Sequence, residues 1–296
     1  MLFALALLSN FILFSSLSNA KIEPSGSASV RAGHNRNIDN APPAPDGSPT
    51  EAWDINPALE LKAMVGEKRK QTFTLIGRGE YQKYLKSTTS DTAHNLAYNI
   101  SPVYRQWWLE SFTTTFAPKF TRNISGEGLG GATTNSSILF RLNNVYKIDQ
   151  SLNFGQTLKY KKVFYSFSTK RNEQYSFNLD LSNQFTPIVN AGVDVGFEFV
   201  KSTSRSSRAR GPSASAMLIY IPYDELSLFS LVNVTRRNYY ILDLNDTTLL
   251  LLINAEYALL PNLALSLELS HVRSWSKSVS RRFISYIPMV GLEYRF

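Results

Sequence analysis

The chain has 296 residues, 12% of them aromatic and only 18% charged, with a net charge of +8 and no cysteine. A water-soluble domain carries about a quarter charged residues, so part of this surface faces something other than water. The missing cysteine excludes a disulfide framework, a thiolate metal site and a cysteine nucleophile.

The first predicted element is "MLFALALLSNFILFSSLSNA", an apolar stretch closing on Ser18, Asn19 and Ala20 before Lys21. It reads as a secretory signal over residues 1–20 with cleavage after Ala20, although no Lys or Arg precedes the apolar region. Residues 21–296 then form one domain. No later apolar run approaches the roughly 20 residues of a spanning helix; Leu249 to Ile253 covers five. For an exported chain the basic balance points to lipid phosphates as the anionic partner, and away from nucleic acid.

Two-residue alternation then predicts strands along the whole chain. In "IVNAGVDVGFEF", Val189, Ala191, Val193, Val195, Phe197 and Phe199 alternate with Asn190, Gly192, Asp194, Gly196 and Glu198. "YSFNLDLSN" and "LALSLELSH" read the same way, one face apolar and the other polar. In chain order the strands fall near 26–36, 53–65, 71–84, 92–103, 109–122, 136–148, 152–167, 174–184, 188–201, 214–222, 226–236, 247–259, 263–274 and 283–296. Many exceed the five or six residues of a sandwich strand and fit the 9 to 11 of a tilted membrane strand.

Connections sort by length. Tight turns are expected at 66–68, around Gln106, and at 149–151, 185–187, 222–224 and 260–262, about one every 38 residues. Longer polar stretches lie between them, among them "KSTSRSSRARGPSAS", "RRNYYILDLND" and "SWSKSVSRR". Short turns at one end and long loops at the other mark a transmembrane, antiparallel, up-and-down β-barrel of fourteen strands. The first strand alternates poorly; were residues 21–70 a periplasmic leader, twelve strands would remain.

The alternation also assigns side chains to faces. Arg78, Lys119, Arg141, Lys159 and Lys161 would line the lumen on one side, and Asp194, Glu198, Glu256 and Glu268 on the other, with Arg141 facing Glu268 across the bore. Aromatic residues gather at the strand ends as two girdles: Tyr104, Trp107, Trp108, Tyr223, Tyr257, Tyr294 and Phe296 by the turns, and Trp53, Tyr81, Tyr84, Tyr165, Trp275 and Tyr286 by the loops. The loops are basic, with Arg205, Arg208 and Arg210, then Arg236 and Arg237, then Lys277, Arg281 and Arg282, which suits contact with lipopolysaccharide phosphates.

The chain closes on "VGLEYRF", in which Val290, Leu292, Tyr294 and Phe296 alternate with polar or small residues. This resembles the C-terminal assembly signal of bacterial outer-membrane β-barrel proteins, read by the barrel-assembly machinery. "GSASVRAGHNRNIDN" followed by "WDINPALELKAMVGEKRKQTFTLIGRGEYQKYL" resembles the start of β-barrel porin families of Gram-negative bacteria, some linked to exopolysaccharide export. The second resemblance carries no functional residues across. Together they imply an outer-membrane location.

Catalysis finds little support. The histidines are His34, His94 and His271. Outer-membrane phospholipases place Ser six residues after the catalytic His, where this chain has Asn40, Ile100 and Lys277. Lipid A deacylases place it two residues on, where it has Arg36, Leu96 and Arg273. No cofactor or metal is expected, and nothing in the sequence marks a subunit interface. The expected function is a porin-like channel for small polar solutes; the alternatives are a non-conducting structural or exopolysaccharide-export accessory barrel and, behind it, a lipid hydrolase.

Overall fold

The period-two pattern becomes one continuous wall. The computed structural model describes residues 22–36, 51–67, 70–87, 94–126, 133–166, 171–278 and 281–296; the expected export signal lies outside them. Among these residues the strand segments are β1 (Glu23–Arg36), β2 (Glu51–Glu67), β3 (Gln71–Ser87), β4 (His94–Leu109), β5 (Phe112–Phe116), β6 (Lys119–Gly126), β7 (Thr133–Lys147), β8 (Leu152–Tyr165), β9 (Arg171–Thr186), β10 (Val189–Ser202), β11 (Ala209–Tyr223), β12 (Leu226–Tyr239), β13 (Leu244–Leu260), β14 (Leu263–Ser276) and β15 (Phe283–Arg295).

Segments β5 and β6 are two halves of one strand. The register with β4 runs through both without a shift, from Tyr104↔Phe116 to Ile100↔Phe120, which sets Pro118 opposite Pro102. Neither proline has an N–H to give, so the ladder loses its bonds at that rung. The strand is held there by its flanks: Ala117 N donates to Arg141 O at 2.8 Å, and Ser101 Oγ donates to Pro118 O at 2.8 Å.

The wall therefore has fourteen strands. Each pairs antiparallel with its sequence neighbour, and β1 pairs with β15 to close the ring. Because β1 is hydrogen-bonded on both sides, the twelve-strand alternative is overturned. Its alternation is faint in sequence because the residues are small: Ala28, Val30 and Ala32 share one face, Ser27, Ser29 and Gly33 the other.

No apolar core lies inside; of the described hydrophobic residues only Ala209 and Ala264 are buried. The large apolar side chains stand on the convex face instead. On β10, Val193, Val195 and Phe197 are 54%, 56% and 49% exposed, and Leu267, Leu269, Val290 and Leu292 continue the band on β14 and β15. In water, that surface would cost about 25 cal/mol per Å². Against hydrocarbon it costs nothing, and closure leaves no strand edge unpaired.

Three connections differ from expectation. The stretch "KSTSRSSRARGPSAS" is mostly strand, since β10 runs to Ser202 and β11 starts at Ala209. Strand β4 continues through Gln106 to Leu109, so the reversal falls at Glu110 and Ser111. The stretch "RRNYYILDLND" is mostly strand: β12 runs to Tyr239 and β13 starts at Leu244, joined by a tight reversal in which Leu242 N donates to Tyr239 O at 2.9 Å and Asp243 takes a φ of 49°. Polar composition suggested a loop, but the Arg237↔Asp246 and Tyr239↔Leu244 pairs carry the ladder into the polar zone. The undivided strands have 13 to 17 residues. Tilted by about 40°, such strands rise roughly 33 to 43 Å, well beyond an apolar band about 25 Å tall.

Candidate functional site

With the large apolar side chains outward, the alternate residues line the concave face. Side-chain contacts identify that face independently. Arg31 on β1 reaches Glu268 on β14 at 3.7 Å, past Gly291 of the intervening β15. Arg237 on β12 reaches Glu198 on β10 at 3.0 Å, past Gly211 of β11. Arg295 on β15 reaches Glu256 on β13 at 2.7 Å. Such reaches over a neighbouring strand need inward curvature and a small residue beneath; a Cβ on Gly291 would stand 2.8 Å from Arg31 Cγ and 2.9 Å from Ser266 Oγ.

These bridges decide the electrostatics of the inner wall. Glu293 also meets Arg295, at 2.9 Å; Glu60 meets Lys62 at 2.7 Å, Glu80 meets Arg78 at 3.2 Å, and Asp246 meets Arg281 at 3.0 Å. Of the residues expected to line the lumen, Glu198, Glu256, Glu268 and Arg78 are thus each engaged in an ion pair. On its own side of the bore, Glu268 is answered by Arg31. Asp194 is held by Asn178 Nδ2, at 2.9 Å from one carboxylate oxygen and 3.1 Å from the other, and lies across the ladder from Asp180. Lys119, Arg141, Lys159 and Lys161 sit together on β6, β7 and β8, with Arg141 directly opposite Lys159.

Alternation misses one feature of this wall. Met217, Leu231 and Leu252 occupy one register row, Ile219 and Phe229 the next, and Leu250 and Val272 another, all on the concave face of β11 to β14. The signal was present as apolar runs that break the two-residue period, "AMLIYI" and "LLLLI", because a run with no alternation is apolar on both faces.

On the convex face the girdles are partly as expected. Trp108, Tyr223, Tyr257, Tyr294 and Phe296 are exposed near the turns, and Trp53, Trp275 and Tyr286 near the loops. Trp108 Nε1 donates to Thr114 Oγ1 at 3.0 Å, which donates on to Asn144 Oδ1 at 2.9 Å, a polar chain suited to a lipid boundary. Trp107 departs from the girdle, because it shares the concave face with Arg105, whose guanidinium lies 5.6 Å from its ring centre. His271 stands outward, stacked on Tyr286 at 4.4 Å.

Besides Arg237 and Arg281, which pair with Glu198 and Asp246, two arginines close their own loops. Arg208 Nε donates to Ser202 O at 2.9 Å and Arg282 Nε to Ser276 O at 2.6 Å, while Ser202 and Ser276 accept from the backbone N–H of Ser204 and Ser278, both at 3.1 Å. The two loops use the same device, an arginine six residues on that satisfies the carbonyl at the strand end. Arg210, Arg236 and Arg273 instead stand on the convex face at the loop ends of β11, β12 and β14, with Arg273 4.8 Å from the Trp275 ring centre. Among the described residues, no group of three His, Asp or Glu side chains gathers where a metal ion could be held.

No family model matches the chain, and no curated protein matches its sequence. Solved structures match along nearly its whole length. The Pseudomonas putida toluene transporter TodX has a TM-score of 0.53 at 11% identity, over 92% of this chain and 89% of that one. The anion-selective porin from Comamonas acidovorans has a TM-score of 0.51 at 8% identity, over 94% and 100%. A bacterial polysaccharide outer membrane secretin has a TM-score of 0.50 at 9% identity, over 91% and 98%. Identities this low show the fold alone: the chain has the fold of the bacterial outer-membrane β-barrels, and its exposed apolar band is that of a barrel seated in a membrane.

Proposed function

We propose that the chain is a passive channel of the outer membrane, through which small polar solutes diffuse along the inner wall without any reaction being catalysed. The observation that carries this reading is a lining that is polar and charged outside the β11 to β14 arc, on a ring too wide for side chains to fill. Fourteen strands about 4.8 Å apart and tilted by about 40° make a ring of radius roughly 14 Å, whereas eight-stranded barrels are the size that side chains close. His271 stands outside the bore, at the membrane boundary and stacked on Tyr286, so it takes no part in the lining.

The test is solute entry into liposomes. Vesicles carrying the refolded protein should swell in isotonic arabinose faster than protein-free vesicles; equal rates would favour the closed structural or export-accessory barrel.

The apolar arc on β11 to β14 favours a second reading, in which less polar solutes use that side of the bore. Arabinose and toluene uptake compared in Leu231→Asn and Leu252→Asn variants would separate the two, since only the second reading ties uptake to those side chains. Outside the bore, the convex arginines Arg210, Arg236 and Arg273 suit lipopolysaccharide phosphates through bidentate hydrogen bonds. Val290, Leu292, Tyr294 and Phe296 form an outward-facing strand end of the kind expected to be read by barrel-assembly machinery.

A further inference from the structure

Four cations project from the concave face of three adjacent segments: Lys119 on β6, Arg141 on β7, and Lys159 and Lys161 on β8. Arg141 and Lys159 are direct register partners, and Leu139 is the partner of both Lys119 and Lys161. Like charges directly opposite on a ladder destabilise it, and an ordinary wall would set a carboxylate between them. Here, among the described residues, none of the four makes an ion pair or a side-chain hydrogen bond.

Two carboxylates lie nearby, and neither forms an ion pair with the cluster. Asp194 is bound by Asn178, and the carboxylate of Asp180 lies over Gly155. Asp194 acts on Lys159 and Asp180 on Arg141 through space, which leaves four cations against two acids. Across the rest of the inner wall the balance is reversed: Glu60, Glu80, Glu198, Glu256, Glu268 and Glu293 are each closed by a cation. Those glutamates are closed by cations, whereas the wall at β6 to β8 is left with a surplus of positive charge.

We propose that Lys119, Arg141, Lys159 and Lys161 form an anion-binding site on the lumen wall that makes the channel prefer small anions to cations. The transport consequence rests on the channel reading above; the binding site does not. A small oxyanion or halide entering the bore supplies the counter-charge that the wall lacks. Arg141 can hold two oxygens of a carboxylate or phosphate at once, and the lysines act as movable point charges. Low-dielectric walls focus the field of such a cluster into the bore, and its exposure to the bore keeps binding weak enough for release.

The experiment is the reversal potential of the refolded protein in a planar bilayer under a potassium chloride gradient. Wild type should pass chloride in preference to potassium, and Arg141→Gln with Lys159→Gln should remove or invert that preference. Glu268→Gln, which strips Arg31 of its partner, should increase it. Cation preference in wild type, or a preference unchanged in the double variant, would overturn the proposal. A silent bilayer would count against the channel reading alone, and chloride-35 line broadening by the refolded protein then decides the site without needing passage. Broadening that falls in the double variant upholds the anion site, and broadening that stays the same refutes it.

Discussion

Gly26 and Phe296 exchange backbone hydrogen bonds, Gly26 N to Phe296 O at 2.8 Å and Phe296 N to Gly26 O at 3.0 Å, so Phe296 is itself a rung of the ladder that closes the wall. The approach requires glycine: a Cβ at position 26 would stand 2.8 Å from Glu60 O and from the Phe296 ring. Gly26→Val should loosen the seam by about 1 to 3 kcal/mol, as overpacking does elsewhere. The check is the temperature at which the folded, fast-migrating form is lost on a detergent gel.

Phe296 also separates folding from assembly. Phe296→Ala keeps both backbone bonds, so refolding in detergent should be nearly unchanged. If an assembly machinery reads this strand end, the amount reaching the outer membrane of expressing cells should fall severalfold. Equal membrane yields for the two forms would remove the assembly role.

Gly211 sits beneath the Arg237 to Glu198 bridge, and a side chain there would run into the carbonyl oxygen of Arg236. Gly211→Ala should therefore cost about 1 to 3 kcal/mol, more than Gly77→Ala on β3, where a Cβ meets nothing within 4 Å. Urea unfolding of the two variants, followed by tryptophan fluorescence, provides the comparison.

The fold was legible because membrane barrels write it twice, once in alternation and once in the sorting of short turns from long loops. Val193 to Phe199 and Leu263 to Leu269 show their faces directly. What stayed hidden depends on neighbours that alternation does not contain. Arg31 and Glu268 are 237 positions apart in sequence and meet because Gly291 lets one reach the other, so a list of lumen charges could not say which are neutralised. Trp107 and Trp108 look equivalent in composition, yet one parity step sends them to opposite sides. The inner apolar arc was masked because a run such as Leu249 to Ile253 reads as simple greasiness until pairing assigns Leu250 and Leu252 inward.

The Arg31 to Glu268 bridge spans the closing seam, with side chains 36% and 19% exposed. Screening by water in the bore limits its value to about 0.5 to 1 kcal/mol. A double-mutant cycle with Arg31→Ala and Glu268→Ala should return a coupling of that size in low salt and less in high salt, because a partly exposed pair is screened.

At the β7 to β8 turn the Asp149 carboxylate accepts from the backbone N–H of Leu152 and Ser151, both at 2.7 Å, and from Ser151 Oγ at 2.9 Å. Those bonds favour the charged form, the Leu152 N–H first, and hold the carboxyl below the usual aspartate range. A depressed folded value means that the turn's contribution is present above the unfolded aspartate pKa and is lost as pH falls through the folded one. Asp149→Asn should flatten the pH dependence of unfolding in that acid window and leave neutral pH behaviour little changed.

The most direct test of the account is single-channel recording of the purified protein in a planar bilayer. The account predicts steady conductance steps whose ion selectivity changes in Arg141→Gln and in Glu268→Gln. A bilayer that stays silent with correctly folded protein, shown by its heat-dependent gel shift, would contradict it.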